Sequence, residues 1–163
     1  MATGAFILGF YLPAKARAAE EAAEAAAPLQ PNAFIKIDAD NTITFLMGLA
    51  EMGQGTYTAM AMSIADELDA DWEAVHFKAA DVAPIYNSVF GPFMLTAGST
   101  SISTKHLEMR KIGAAVNTML KTAAAHRWNT DISNVKTSKA HVINVQSGEK
   151  FTYGELVSDI NTM

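Results

Sequence analysis

The order of hydrophobic periods along this chain limits its fold more strongly than any other feature of the sequence. Apolar and polar residues alternate over 33–37 and again over 42–47, which predicts two β-strands. The Asp-Ala-Asp-Asn sequence between them is typical of a turn, so the strands should form a hairpin. From 56 to 68 the apolar residues recur every three or four positions, which indicates a helix with one buried face.

The rest of the chain continues with the same kinds of element. A short strand is expected at 75–78, followed from 81 to 98 by a connection without periodicity, of a length that is often functional. A long helix is expected from 100 to 128, with a break near Lys105 because of its length. Further strands and a last helix should follow at 135–137, 141–145 and from 151. We therefore predict an α/β fold, a mixed sheet with two main helices.

Side-chain spacing adds detail to the later helices. The buried face of the long helix should consist of Met109, Ile112, Val116, Met119 and Ala123. Thr152 and Glu155 have the spacing of a capping box, so the last helix should begin at this point. The pattern stops soon afterwards, and we expect the domain to continue in a longer polypeptide.

Composition excludes several classes of function. Asp and Glu total 17 against 12 Lys and Arg, a net charge of −5, which argues against a nucleic-acid partner. Cysteine is absent, so this chain can hold no disulfide, thiolate nucleophile, zinc–thiolate site or iron–sulfur cluster. The four histidines show no ligand spacing with one another, so we predict no metal bound directly by the chain.

The first thirty residues differ from the remainder. An apolar run at 4–12 is too short to span a bilayer, which takes roughly 20 residues, so no membrane span is expected. Small residues at 14, 16 and 18 follow it, a pattern that resembles the back half of an export signal, whereas a free tail or docking helix is the alternative. We interpret 1–31 as a remnant signal and an Ala/Glu-rich linker, and 32–163 as the folded domain. This predicts a periplasmic location, or a cytoplasmic one if the truncated signal does not work.

Two loops of small residues lead directly into the predicted helices. We call residues 48–55 the glutamine loop and residues 96–101 the serine loop. The start of a helix has unpaired N–H groups and the positive end of its dipole, and glycine lets a ligand approach the backbone, so such loops suit an anion such as phosphate. Gln54 adds an amide that both donates and accepts, which suits a pterin or a nucleotide base. The alternative is that the Ser and Thr residues are ordinary helix caps without a ligand.

The sequences of these segments resemble a known family. EMGQGTYTAM followed by ADELDADWEAV, and TAGSTS followed by an Ala-rich helix, are similar to the molybdopterin-binding large subunit of the xanthine dehydrogenase/aldehyde oxidase superfamily. The similarity is greatest to the isoquinoline 1-oxidoreductase beta-subunit type, and it covers nearly the whole chain in the family's order. Ala97 departs from the pattern, because many relatives have glycine there.

The resemblance implies which residues bind a cofactor. Gly53, Gln54 and Gly55 correspond to a loop that contacts the molybdenum cofactor. Thr96, Ser99 and Ser101 correspond to positions that line a phosphate, and Gly98 to a close approach of the backbone. No catalytic residue is expected in this chain, because the family's glutamate base lies in a region that the chain does not contain.

The resemblance also implies a cofactor and partners. The cofactor would be molybdopterin cytosine dinucleotide, and the family reaction hydroxylates an aldehyde or an N-heterocycle with oxygen from water. Electrons would leave through an iron–sulfur subunit with 2Fe-2S clusters, and a cytochrome c subunit is a further candidate partner. The remaining molybdopterin-binding polypeptide would be needed for turnover, so the chain alone should be inactive. The alternatives are a non-catalytic phosphate- or nucleotide-binding module and an inactive truncated gene product.

Several residues near the loops have simpler interpretations. Tyr57 and Trp72 are expected in the core, and Met52 is expected to pack against neighbours. Glu51 is interpreted as a solvated or helix-capping acid, and His106 as a surface residue.

Overall fold

Seven short strands and three helices form the part of the chain that the computed structural model describes, residues 29–162, with side chains described from residue 33. The expected export signal and most of the predicted linker lie outside these residues. The strands are β1 Leu29–Asn32, β2 Ile35–Ile37, β3 Ile43–Met47, β4 Val75–Ala79, β5 Val135–Ser138, β6 His141–Asn144 and β7 Lys150–Thr152. The helices are α1 Thr56–Leu68, α2 Thr100–Arg127 and α3 Val157–Thr162.

The first sheet has the order β1-β2-β3-β4 and is mixed. β2 and β3 form the predicted antiparallel hairpin, with Ile35 opposite Phe45. β4 returns parallel to β3 after α1, with Ile43 opposite Val75. β1 begins three residues before the expected boundary at residue 32 and pairs with β2, so the division of the chain at that residue stays a prediction.

The second sheet is an antiparallel array in the order β5-β6-β7, and it is joined to the end of α1. The fully buried Tyr153 donates its hydroxyl to the carbonyl of Leu68 at 2.6 Å, and burial raises the pKa of this phenol. The N–H of Ala140 donates to the carbonyl of Asp69 at 2.8 Å. The predicted mixed sheet with two main helices is therefore confirmed, and the structure adds a separate second sheet.

The two main helices run parallel and in close contact. Ser63 faces His106, and farther along Leu68 faces Asn117, so the contacts advance in the same direction on both helices. Between them, a Cβ atom at Gly113 would lie 2.5 Å from the carbonyl oxygen of Ile64. The absence of a side chain at this position lets the two backbones approach closely.

The core lies between the helix pair and the first sheet. Its fully buried side chains include Ile35, Ile37, Ile43 and Phe45 of the sheet, Ile64 and Leu68 of α1, and Met109, Val116 and Leu120 of α2. The buried stripe of α1 is confirmed from Met60 to Leu68, with Tyr57 half-buried at its start. On α2, Met109, Val116 and Ala123 are buried as expected, whereas Ile112 and Met119 are only half-buried.

Two expectations about helix limits are wrong. α2 runs from Thr100 to Arg127 without a break at Lys105. The first two residues of the predicted last helix, 151 and 152, belong instead to β7, because their backbone pairs with β6; the helix begins as a 3-10 turn at Gly154–Leu156 that continues into α3 at Val157. The capping-box bonds are present nevertheless: the Thr152 N–H donates to Glu155 Oε2 at 2.7 Å, and the Glu155 N–H donates to Thr152 Oγ1 at 3.2 Å.

Within residues 29–162, no helix is both long enough and apolar enough to cross a membrane. α2 has the length, with 28 residues, but it carries charged side chains along its course.

Candidate functional site

The parallel helices bring their two N-termini to the same end of the molecule. Ser63 lies seven residues after the start of α1, and His106, which it contacts at 3.1 Å, lies six residues after the start of α2. The Ser63–His106 contact offsets the two helix starts by one residue and the Gly113–Ile64 contact offsets them by five, so at about 1.5 Å per residue the starts differ in height by no more than about 8 Å. The glutamine loop and the serine loop therefore lie at one end of the helix pair.

The backbone of one residue, Ala50, joins the two loops. The N–H of Ala50 donates to Thr96 Oγ1 at 2.8 Å, across 46 residues of sequence. The carbonyl of the same residue accepts from Gln54 Nε2 at 2.9 Å. The structure thus brings together Gln54 and Thr96, two of the residues that the sequence predicted to share one ligand.

Gln54 is exposed, and its amide is oriented by its own loop. Its Oε1 accepts from the N–H of Met52 at 2.6 Å, while its Nε2 donates to Ala50. An amide oxygen has two lone pairs and an amide nitrogen two hydrogens, so one acceptor site and one donor remain for a ligand. The side chain can therefore present a matched donor–acceptor edge.

The N-terminus of α1 is occupied by a carboxylate of the same loop. Glu51 Oε1 accepts from the N–H groups of Gly53 at 2.8 Å and Gly55 at 3.0 Å, and Oε2 accepts from Tyr57 at 2.9 Å. These bonds, led by that from Tyr57, hold the pKa of Glu51 below its usual value of 4.5. The interpretation of Glu51 as a capping acid is confirmed, and the first of the two expected anion sites is filled from within the protein.

The N-terminus of α2 is arranged differently. Gly98 and Ser99 both have left-handed backbones, with φ values of 61° and 56°, and the Ser99 side chain makes no capping bond. The first turn of α2 contains no acidic residue. The alternative that Ser99 is an ordinary cap is therefore wrong, and its exposed hydroxyl has no capping role.

The other residues expected at a phosphate differ in accessibility. Thr96 is half-buried and accepts from Ala50, which leaves its hydroxyl proton available to a ligand. Ser101 is only 8% exposed, in the first turn of α2. Ser99 and Gly98 are thus the most accessible members of the serine loop, and Ser101 the least.

The cavity that the described residues form beneath the glutamine loop is small. A cavity of about 10 Å³ there is lined by Met47, Gly48, Leu49, Tyr86 and other mostly apolar residues, space for one water at most. A larger volume of about 370 Å³ lies beside Arg127 and Asp159, at the opposite end of α2. A ligand at the two loops would therefore rest on an open surface.

Comparison with known proteins identifies the family. A family model described as the molybdopterin cofactor-binding domain matches residues 8–162. The chain belongs to this family. The two loops described above are accordingly loops of a molybdopterin-binding domain.

Curated relatives of this molybdopterin-binding domain are much longer proteins. It is 30% identical over 152 residues to the isoquinoline 1-oxidoreductase subunit beta of Brevundimonas diminuta, covering 91% of this chain and 19% of that one. It is 32% identical over 129 residues to the membrane-bound aldehyde dehydrogenase [pyrroloquinoline-quinone] of Gluconacetobacter polyoxogenes, covering 79% and 16%. The chain therefore spans less than a fifth of the length of these relatives.

Solved structures share the fold of the molybdopterin-binding domain. Quinoline 2-oxidoreductase from Pseudomonas putida 86 superposes with a TM-score of 0.57 at 19% identity, covering 76% of this chain and 15% of that one. The Cu,Mo-CO dehydrogenase superposes with a TM-score of 0.56 at 20% identity, covering 80% and 17%. At such identities the likeness shows the fold alone.

Aromatic and apolar residues of the domain occupy other positions than expected. Trp72 is 44% exposed and Met52 is 74% exposed, so their expected burial is wrong. Tyr57 is half-buried, with its hydroxyl donating to the carbonyl of Leu49 at 2.8 Å. His106 is exposed, as predicted.

The residues of this domain that sequence reasoning missed act through the backbone or across the loop. Ala50 joins the two loops with its backbone N–H and carbonyl, and nothing in its side chain could have indicated this role. The hydrogen bonds of Glu51 across the loop, in contrast, are indicated by the sequence spacing. Glu51 lies two residues before Gly53, four before Gly55 and six before Tyr57. An acid at this spacing from the start of a helix is placed to accept from several N–H groups at once.

Proposed function

We propose that this domain forms one wall of the cofactor site in a larger molybdenum hydroxylase that oxidises aldehydes or N-heterocycles. The observation that carries the proposal is the backbone of Ala50, whose N–H and carbonyl hold Thr96 and Gln54 at the shared end of two parallel helices. Membership of the molybdopterin cofactor-binding family supplies the ligand class. The bound cofactor would supply the two-electron redox chemistry, and the residues of this chain would bind and orient it.

The glutamine loop is proposed to contact the ring edge of the cofactor. The exposed amide of Gln54 offers one donor and one acceptor, which match the amide-like edge of a pterin or of a cytosine. The flanking Gly53 and Gly55 are exposed and lack side chains, so a flat ring can approach the backbone beside Gln54.

The serine loop is proposed to bind the phosphate. The start of α1 already holds the Glu51 carboxylate, whereas the first turn of α2 has no acid, so the N–H groups of α2 are the more favourable site for an anion. Ser99 and Thr96 would add hydroxyl donors, and Gly98 would allow close approach. Ser101 would contribute through its backbone N–H, because its side chain is buried.

The form of the cofactor and the partners rest on the family resemblance. We propose the cytosine dinucleotide form, with 2Fe-2S clusters on a separate iron–sulfur subunit and a cytochrome c subunit as a further candidate. The remaining molybdopterin-binding polypeptide would complete the site, in keeping with relatives of which this chain covers 19% and 16%. A periplasmic location is proposed from the apolar run at 4–12 and the small residues behind it.

The segment between β4 and α2 supports a protein partner at this end of the domain. Residues 81–98 carry one charged side chain, Asp81, and their exposed apolar residues are Val82, Val89, Phe90 and Phe93. Exposed apolar residues concentrated in one segment are typical of an interface. We propose that this segment packs against the remaining molybdopterin-binding polypeptide.

The identity of the bound ligand tests the function directly. The full chain would be purified from a host that makes molybdenum cofactor, and the ligand released by heating would be identified by mass spectrometry. A pterin dinucleotide is the expected result. A plain nucleotide or a pyrroloquinoline quinone in its place would contradict the proposed function.

Removal of the Gln54 amide tests the assignment of the site. Gln54→Ala should lower the pterin retained per chain about tenfold, the loss expected when one or two ligand hydrogen bonds disappear. Gln146→Ala is the matched control, since Gln146 is also exposed and makes one side-chain bond, to Asn134, in the second sheet. Equal retention in both variants would rule out Gln54 as a ligand-binding residue.

A further inference from the structure

We propose that Glu51 is a positioning residue, whose carboxylate fixes the backbone of the glutamine loop and so orients Gln54 toward the cofactor. The inference rests on the proposed role of Gln54 and deepens it. Glu51 itself would not touch the cofactor, because both of its carboxylate oxygens are engaged by backbone N–H groups.

The bonds of Glu51 enclose Gln54 on both sides. One carboxylate oxygen accepts from Gly53 and from Gly55, the two residues adjacent to Gln54. The other oxygen accepts from Tyr57, in the first turn of α1, and so ties the loop to the helix. The backbone of Gln54 is therefore held between two anchored neighbours.

The loop needs such an anchor because of its glycines. Gly53 and Gly55 have φ values of 91° and 78°, and nothing lies within 4 Å of the position a Cβ would take at either one. Glycine populates many backbone conformations about equally well, so hydrogen bonds to the backbone are needed to select one of them. The carboxylate bonds are what restrict the two glycines to the observed conformation.

The Gln54 side chain depends on that backbone conformation. Its amide accepts from Met52 and donates to Ala50, both within the same loop, and Ala50 in turn contacts Thr96. If the backbone on either side of Gln54 rotates, these two short-range bonds can no longer form together. Removal of the Glu51 charge should therefore also disturb the side-chain bonds of Gln54 and, through Ala50, the contact with the serine loop.

The pH dependence follows from the sign of the pKa shift. Backbone N–H bonds, that of Tyr57 first, lower the pKa of Glu51 in the folded protein below 4.5. A lowered pKa means that the anchor is in place above this value and is lost as the pH falls through the folded-state pKa. The amide signals of Gly53, Gly55 and Tyr57 should therefore shift together with a midpoint below pH 4.5.

Nuclear magnetic resonance of the full chain without cofactor tests the proposal. In Glu51→Gln the shape of the side chain is kept, the charge is removed and one of the two acceptor oxygens becomes an NH2 donor. Backbone hydrogen exchange at Gly53, Gly55 and Tyr57 should become about tenfold faster, as expected for the loss of charge-assisted bonds. The side-chain amide signals of Gln54 should move, and the common titration should disappear.

Glu73→Gln is the matched control, since Glu73 is an exposed acid outside the two loops. This variant should leave the exchange rates in the glutamine loop and the Gln54 signals unchanged. If Glu51→Gln also leaves them unchanged, or if the wild-type amides show no common titration, the proposal is overturned. The titration needs no variant, so it decides the question even if Glu51→Gln folds poorly.

A double-variant experiment separates this proposal from the proposed function. If Glu51 acts through Gln54, Glu51→Gln should lower pterin retention in the wild type but cause no further loss in the Gln54→Ala background. An equal further loss in that background would show that Glu51 acts independently and would overturn the positioning role. Unchanged retention in Gln54→Ala alone would instead refute the site assignment, while the resonance measurements still decide what Glu51 does.

Discussion

At the scale of single residues, the left-handed glycines beside Gln54 allow a clean substitution test. Gly55 has a φ of 78°, and a Cβ there would meet nothing within 4 Å. Alanine at this position should therefore cost conformational strain of about 1 kcal/mol without any steric clash. Gly55→Ala should lower the free energy of unfolding in urea by this amount, and it should also lower pterin retention because the glutamine loop is disturbed.

Gly148 provides the control for this prediction. Its φ of 77° and its open surroundings match those of Gly55, but it lies in the turn between β6 and β7. Gly148→Ala should lose a similar stability and keep its pterin. If the two variants lose pterin equally, the effect of Gly55→Ala comes from stability and not from the loop.

Residue type alone predicted part of the site. Gln54, its flanking glycines and the serines could be selected from the sequence because their chemistry is carried by the residue type. Ala50 could not be, since its role belongs to the backbone N–H and carbonyl, which all residues except proline possess. The core position predicted for Trp72 and the packing predicted for Met52 rest on their apolar character, which describes an average tendency and not an individual position.

At the scale of secondary-structure elements, the close contact of α1 and α2 depends on Gly113. A Cβ at this position would lie 2.5 Å from the Ile64 carbonyl oxygen and 3.1 Å from Glu67 Cβ. Gly113→Ala gains about 1 kcal/mol of helix propensity, but forcing the two backbones apart should cost more, about 2–3 kcal/mol. We expect a net loss of about 1–2 kcal/mol in the free energy of unfolding, measured by chemical denaturation.

Thr118→Ala is the control on the same helix, because Thr118 is exposed. It should be neutral or slightly stabilising, since alanine has the higher helix propensity. A stabilising effect of Gly113→Ala would show that the helix pair can separate without cost, and the parallel packing would then not hold the two loops at a fixed distance.

Periodicity predicted the elements that depend on a single segment. The limits of α1 at Thr56 and Leu68 agree with the apolar stripe in the sequence, and the β2–β3 hairpin agrees with its turn residues. β7 was missed because it exists only through its pairing with β6, which no local pattern records. The parallel arrangement of α1 and α2, which creates the site, is likewise a tertiary property.

At the scale of the whole molecule, the apolar segment between β4 and α2 predicts association of the isolated chain. Val89 is 66% exposed and Phe90 is 60% exposed, and nothing in the described structure covers them. The double variant Val89→Ser, Phe90→Ser should reduce concentration-dependent self-association, because less apolar surface is removed from water on contact. Light scattering across a concentration series would measure the change.

Val145→Ser is the matched control, since Val145 is 56% exposed in the turn that follows β6. It should leave association unchanged. If the double variant and the Val145→Ser control both associate as strongly as the wild type, residues 81–98 are not the surface through which the chain associates. Their proposed packing against the remaining polypeptide then loses its support.

The two backbone bonds of Ala50 have a consequence for how a ligand would be held. Because its N–H binds one loop and its carbonyl the other, restricting either loop also restricts its neighbour. A molecule that orders the glutamine loop thereby lowers the entropy still to be lost at the serine loop. The ring end and the phosphate end of one ligand should accordingly bind with positive cooperativity. The whole ligand should bind more tightly than the affinities of its two separate halves suggest.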